Sequence, residues 1–150
     1  MRLACEVALQ GVANGDGGPF GAVVVRDGKV IASAHNMVVA TSDSTAHAEI
    51  VAIRKAEQAL GTYDLSGCEM YATSYPCPMC LGAIYWARLS RLYFAATRAD
   101  AAEAGFDDLL IYQEVARPLA ERRLPAVQLL RDQALAAFAE WKANPAKTAY

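Results

Sequence analysis

The sequence predicts a layered α/β domain built on a mixed sheet of about five strands. Three observations lead there. The chain has 150 residues, the length of one domain that can bury its own core. Its composition, 55% hydrophobic and 20% charged, is globular; disorder goes with fewer apolar residues and a larger net charge. Segments of period two alternate with segments of helical period, first as a hairpin and then as crossover units.

Taken in order, Leu3, Val7, Ala8 and Val12 fall at helical spacing and give a first amphipathic helix. The run Asn14-Gly15-Asp16-Gly17-Gly18-Pro19 ends it in a loop. Phe20 to Val25 reads as a strand, Asp27-Gly28 as a tight turn, and Val30 to His35 as the returning strand. After a polar loop from Thr41 to Thr45, the helical pattern runs from Ala46 to Leu60 and stops at Gly61. Cys68 to Thr73 is a strand, Pro76 to Ala87 a helix with proline near its start, and Arg91 to Ala96 another strand. The stretch from Asp100 to Tyr112 is irregular or helical. Ala126 to Leu130 reads as a late strand, and Asp132 to Lys142 as a last helix capped by Asp132. No repeat, linker or low-complexity tract interrupts residues 1–150, so the chain reads as a single domain.

The net charge is −2, which argues against a surface built to grip nucleic acid through its phosphates. No apolar run approaches the length of a membrane span. Met1-Arg2-Leu3-Ala4-Cys5 lacks an apolar signal core and is followed by Glu6, so the expected location is the cytoplasm. Four cysteines do not make a disulfide framework; in a reducing compartment they are core residues or metal ligands.

Two motifs carry chemistry: His47-Ala48-Glu49 at the start of the second helix, and Pro76-Cys77-Pro78-Met79-Cys80 at the start of the third. An H-x-E followed by P-C-x-x-C is the pattern of zinc-dependent deaminases. Cysteines three apart at a helix start lie on one face and reach one ion, and the positive end of the helix dipole favours their thiolates. With His47 they make three protein ligands, leaving a fourth zinc position for a water that loses a proton near neutral pH. Glu49 can face the same cleft without binding metal and carry protons. Cys5 and Cys68 lack paired spacing and read as core thiols. His35 ends a strand and reads as structural.

On these motifs the sequence resembles the cytidine-deaminase-like superfamily, and within it the small guanine deaminases. The likeness extends to Gly17 to Val23, Thr45 to Glu49, Pro76 to Arg88 and, as the discriminating segment, Ala101-Ala102-Glu103-Ala104-Gly105-Phe106-Asp107-Asp108. It implies a three-layer α/β/α fold and zinc held by His47, Cys77 and Cys80. It further implies Glu49 as proton shuttle, Asn36 and Ala48 in substrate binding, and Asp108 accepting ring N–H groups of a purine. Phe20 and Trp86 would flank the ring and Tyr150 would close the pocket. In that family the C-terminal segment, here about 132–150, is exchanged within a homodimer, so Tyr150 would serve the neighbouring subunit.

One position departs from the family. Tyr75 stands directly before Pro76-Cys77, where those proteins usually carry Glu. The substitution leaves the ligands untouched but alters a loop that could line the pocket. The leading expectation is hydrolytic deamination of guanine. The alternatives are another aminated substrate (guanosine, cytosine or an aminotriazine), a tRNA adenosine deaminase, and a structural zinc module without activity.

Overall fold

The computed structural model describes residues 1–149, and Tyr150 lies outside the described residues. The chain divides into two compact units, Met1–Tyr112 and a second beginning at Gln113. The first holds α1 (Arg2–Asn14), β1 (Gly21–Arg26), β2 (Lys29–His35), α2 (Val38–Thr41), α3 (Ala48–Leu60), β3 (Cys68–Ser74), α4 (Pro78–Trp86), β4 (Arg91–Ala96) and α5 (Arg98–Glu103). Helix α6 (Leu109–Ala116) begins in it. The second contains a 3₁₀ turn at Leu119–Glu121 and helix α7 (Arg131–Ala143).

The sheet has four strands in the order β2-β1-β3-β4. Strand β1 is antiparallel to both β2 and β3, and β3 is parallel to β4. It follows that β2, β3 and β4 all point the same way and end on one rim, where β1 begins. A parallel neighbour requires a crossover, and α3 and α4 supply it. Both helices therefore start from that rim. In open α/β sheets the carboxyl ends of such strands are where ligands bind.

Strand alternation divides the core between two layers. On one face Ala22, Val24, Ala32, Ala34 and Met70 pack with Ala48, Ala52, Ile53 and Ala56 of α3 and Ile84 of α4. The other face meets α1. A Cβ on Gly21 would collide with the carbonyl oxygen of Ala4 and come within 3.0 Å of the Ala8 nitrogen, and one on Gly11 would fall 2.6 Å from the His35 ring. Helices thus cover both faces, which gives the expected three-layer α/β/α arrangement. Gly21→Ala should lower the unfolding free energy by about 3 kcal/mol, because the atom it meets is helix backbone; a urea titration beside the parent measures it.

Helices α1 and α3 end at Gly15 and Gly61, each in the left-handed region with φ of 75° and 66°. The stretch from Asp100 to Tyr112 resolves into most of α5 and the start of α6. Three local expectations change. Residues 126–130 form no strand, since among the described residues the second unit has no strand to pair with it. Helix α7 starts at Arg131 with Leu130 as its N-cap, so Asp132 sits in the first turn instead of capping. The short α2 was not foreseen.

Candidate active site

The metal motif is assembled by two helix starts. His47 and Cys77 are the N-cap residues of α3 and α4, both extended, with ψ of 154° and 168°. Pro78 occupies the first helical position of α4, where its missing N–H is harmless. Cys80, in the same first turn, is fully buried. His47 Nδ1 lies 3.6 Å from Cys77 Sγ and 3.5 Å from Cys80 Sγ, and one ligand atom from each residue falls within 4.8 Å of the others. Donors at zinc bond lengths around a tetrahedral ion sit about 3.6 Å apart.

The charges of the cluster point the same way. The Cys77 thiol is pulled down to about 4, first by a hydrogen bond from Cys80 and further by the one from His47. Cys80 is pushed up by that same bond with Cys77 and by burial. His47 is raised by its hydrogen bond to Cys77. Without a cation the two sulfurs are driven in opposite directions, Cys77 toward its thiolate and Cys80 away from it. A divalent ion is what allows both sulfurs to be thiolates at once, and the three residues fit zinc in donor type, spacing and open geometry.

Glu49 follows one residue after Ala48 in the first turn of α3. Its side chain is 8% exposed, and burial raises its pKa above the ordinary carboxyl value. It lies on the wall of a cavity of about 660 Å³ that His47 and Cys77 also line. Phe20, Asn36, Ser74, Tyr75, Phe106 and Asp108 contribute to the same wall. Every lining residue belongs to the first unit.

Several of these side chains are fixed by neighbours. Asn36, only 4% exposed, accepts hydrogen bonds at Oδ1 from the backbone N–H of Gly18 (3.3 Å) and Val38 (3.1 Å), which leaves its NH₂ for a ligand. A Cβ on Gly17 would collide with Asn36 Oδ1, so glycine is required where the loop crosses it. Phe20 meets Phe106 edge to face at 4.9 Å. Tyr75 donates its N–H to Ala96 (2.9 Å) and sets its ring edge-on to Phe94 at 5.0 Å. The buried Ser74 Oγ has no hydrogen-bond partner among the described residues. Asp108 accepts from Arg98 Nε at Oδ1, 3.1 Å away, and among the described residues no hydrogen bond reaches its Oδ2.

The structure therefore brings together His47, Cys77, Cys80, Glu49, Phe20, Asn36 and Asp108. Ala48 is fully buried and can offer a ligand only its backbone. Trp86 is not on the cavity wall: it lies at the far end of α4, 69% exposed, six residues or about 9 Å along the axis from Cys80. The aromatic neighbour of Phe20 is Phe106 instead. Tyr150 lies outside the described residues. Ser74, Phe106 and Arg98 received no role from the sequence; Phe106 stood in the discriminating Ala101 to Asp108 segment, whereas nothing local marked Ser74 or Arg98.

Comparison with known proteins agrees with this geometry. Residues 1–96 match the family model described as the cytidine and deoxycytidylate deaminase zinc-binding region. The chain is 50% identical to the guanine deaminase of Bacillus subtilis over 142 residues, 95% of this chain and 91% of that one. It superposes on the X-ray structure of guanine deaminase from Bacillus subtilis with a TM-score of 0.96 at 49% identity, covering 99% of this chain and 95% of the other. The likeness to the tRNA-specific adenosine deaminase of Bacillus subtilis is 46% over 96 residues, 64% of this chain and 59% of that protein. With two helix starts converging on a His-Cys-Cys zinc set, and with most of its length matched by the family model, the chain belongs to the cytidine and deoxycytidylate deaminase family.

Proposed function

We propose that the chain hydrolyses guanine to xanthine and ammonia, one water consumed per turnover. The observation that carries the reading is the Asp108 carboxylate, which has one oxygen without a hydrogen-bond partner among the described residues and lies on the wall of the cavity that Glu49, His47 and Cys77 also line. Guanine presents a ring N–H where adenine presents a bare acceptor, so a fixed carboxylate there favours guanine and leaves adenine with two opposed acceptors. The likeness to a guanine deaminase over nearly the whole chain supports the same choice, whereas the likeness to a tRNA deaminase covers less of it.

Zinc, held by His47, Cys77 and Cys80, supplies a Lewis-acidic centre that brings the pKa of water toward neutrality. The remaining work falls to side chains. Phe20 and Phe106 offer ring faces and edges to a flat heterocycle. The Asn36 NH₂ donates to an acceptor on the purine, and the backbone at Ala48 borders the same space. Glu49 takes a proton from water and delivers it to the ring nitrogen beside the amine-bearing carbon. As the water oxygen bonds to that carbon, the second proton passes from the added hydroxyl through Glu49 to the amine; the C–N bond breaks, ammonia leaves and the carboxylate is restored.

The reading extends to assembly and location. Leu124, Val127, Leu129 and Leu130 are each more than 70% exposed on the isolated chain, a density of apolar surface that calls for a cover. A homodimer exchanging residues from about 132 to 150 provides one and lets Tyr150 close the partner copy's cavity. The four free thiols suit a reducing compartment, and we place the protein in the cytoplasm. No helix among the described residues is long and apolar enough to cross a membrane.

The zinc-loaded protein, incubated separately with guanine, adenine, cytosine, guanosine and tRNA, is expected to release ammonia from guanine alone. Release from another of these with none from guanine overturns the substrate.

A further inference from the structure

We propose that Arg98 is a positioning residue for substrate recognition, holding Asp108 with one oxygen committed and the other presented to the cavity. The inference rests on the reading of Asp108 as acceptor for the substrate's ring N–H and adds the means by which that acceptor is aimed.

The backbone at Arg98 is fixed first. Arg98 opens α5, and Thr97 before it forms a capping box with Asp100: Thr97 Oγ1 accepts from the Asp100 N–H (3.3 Å), and the Thr97 N–H donates to Asp100 Oδ2 (2.7 Å). The side chain is fixed next. The guanidinium carbon lies 3.8 Å from the centre of the Tyr112 ring, while Nε donates to Asp108 Oδ1 at 3.1 Å. Tyr112 is anchored in turn, donating its hydroxyl hydrogen to the carbonyl of Pro76 at 2.7 Å. Pro76 is fully buried and directly precedes the ligand Cys77. A continuous set of contacts thus runs from the metal loop through Tyr112 and Arg98 to Asp108.

The two neighbouring acids are sorted by their partners. Asp107 turns its Oδ1 to the Leu109 N–H (2.9 Å), at the start of α6. Asp108 alone meets the guanidinium. The cavity wall includes Asp108 but neither Arg98 nor Tyr112, so the arginine acts from behind the carboxylate. A short carboxylate on a loop has three staggered rotamers, and an N–H fixed in a stacked plane selects one of them. Lysine carries the charge but lacks the planar N–H and the stacking face.

The test is a double-mutant cycle on the zinc-loaded protein, reading KM and kcat for guanine together with zinc content and thermal midpoint. Arg98→Met is expected to raise KM about tenfold, the order of a charge-assisted hydrogen bond, with kcat within about twofold. Arg98→Lys is expected to recover part of that loss. Asp108→Asn should raise KM on its own, and adding Arg98→Met to it should change little more. Arg98→Gln gives the same reading should Arg98→Met not fold. If Asp108→Asn leaves KM unchanged, the reading of Asp108 fails. If Asp108→Asn raises KM but Arg98→Met does not, if the two effects multiply in the double variant, or if Arg98→Lys is as damaging as Arg98→Met, the role of Arg98 is overturned.

Discussion

Glu49→Gln is expected to lower kcat for guanine by about a thousandfold, the range of a positioned general acid–base, while zinc content and thermal midpoint stay near those of the parent. Glutamine keeps the shape of the side chain but cannot take a proton from water or return one to the leaving amine. Stability should hold because the parent gains nothing from a charge here. Glu49 is buried, and that burial already disfavours its ionised form, so a neutral amide removes a desolvation cost. A kcat within about tenfold of the parent, with zinc retained, would rule out Glu49 as the proton carrier. A parallel loss of zinc would show that the carboxylate supports the metal instead. The same variant separates an enzyme from a structural zinc module, since a closed structural site has no use for a buried carboxylate beside it.

What the sequence made legible follows from how local the physics is. Both ligand motifs sit at helix starts, and helix starts are written in short-range signals: Pro78 after Cys77, a polar run before His47, Gly61 closing α3. The pairing of the two motifs in space depends on β2, β3 and β4 ending on one rim, and the order of hairpin and crossovers already implied that. The late strand failed because apolar pattern alone cannot supply a ladder partner. Trp86, carried along in the family match when Pro76 to Arg88 is taken as one block, stands at the far end of its helix and does not line the cavity described above. Arg98 was illegible because its role depends on Asp108, ten residues on, and Tyr112, fourteen residues on. No periodicity encodes a guanidinium stacked between a ring and a carboxylate. Tyr75 was visible as a departure, and the structure adds that its ring rests on Phe94 at the cavity wall.

Cys77→Ser should abolish both zinc binding and turnover without unfolding the chain, and the position makes it a sharper probe than Cys80. Cys77 is the N-cap of α4 and supplies no side-chain cap bond of its own. Serine is among the preferred residues at an N-cap, so the helix start should hold or gain slightly. Cys80 is fully buried, and a substitution there would disturb the packing of the interior as well as the ligand set, confusing metal loss with packing loss. The parent should bind about one zinc per chain and keep it through dialysis against a weak chelator; Cys77→Ser should emerge metal-free. Its thermal midpoint should fall to that of the chelator-stripped parent and no further, because what is lost is the free energy of a ligand that binds only the folded state. Adding zinc should raise the midpoint of the stripped parent and leave the variant where it is. A variant that retains zinc would remove Cys77 from the ligand set. One that melts well below the stripped parent would show that the thiol also supports the fold. The substitution removes a thiolate donor from the ligand set, and a serine hydroxyl at neutral pH carries no charge to replace it.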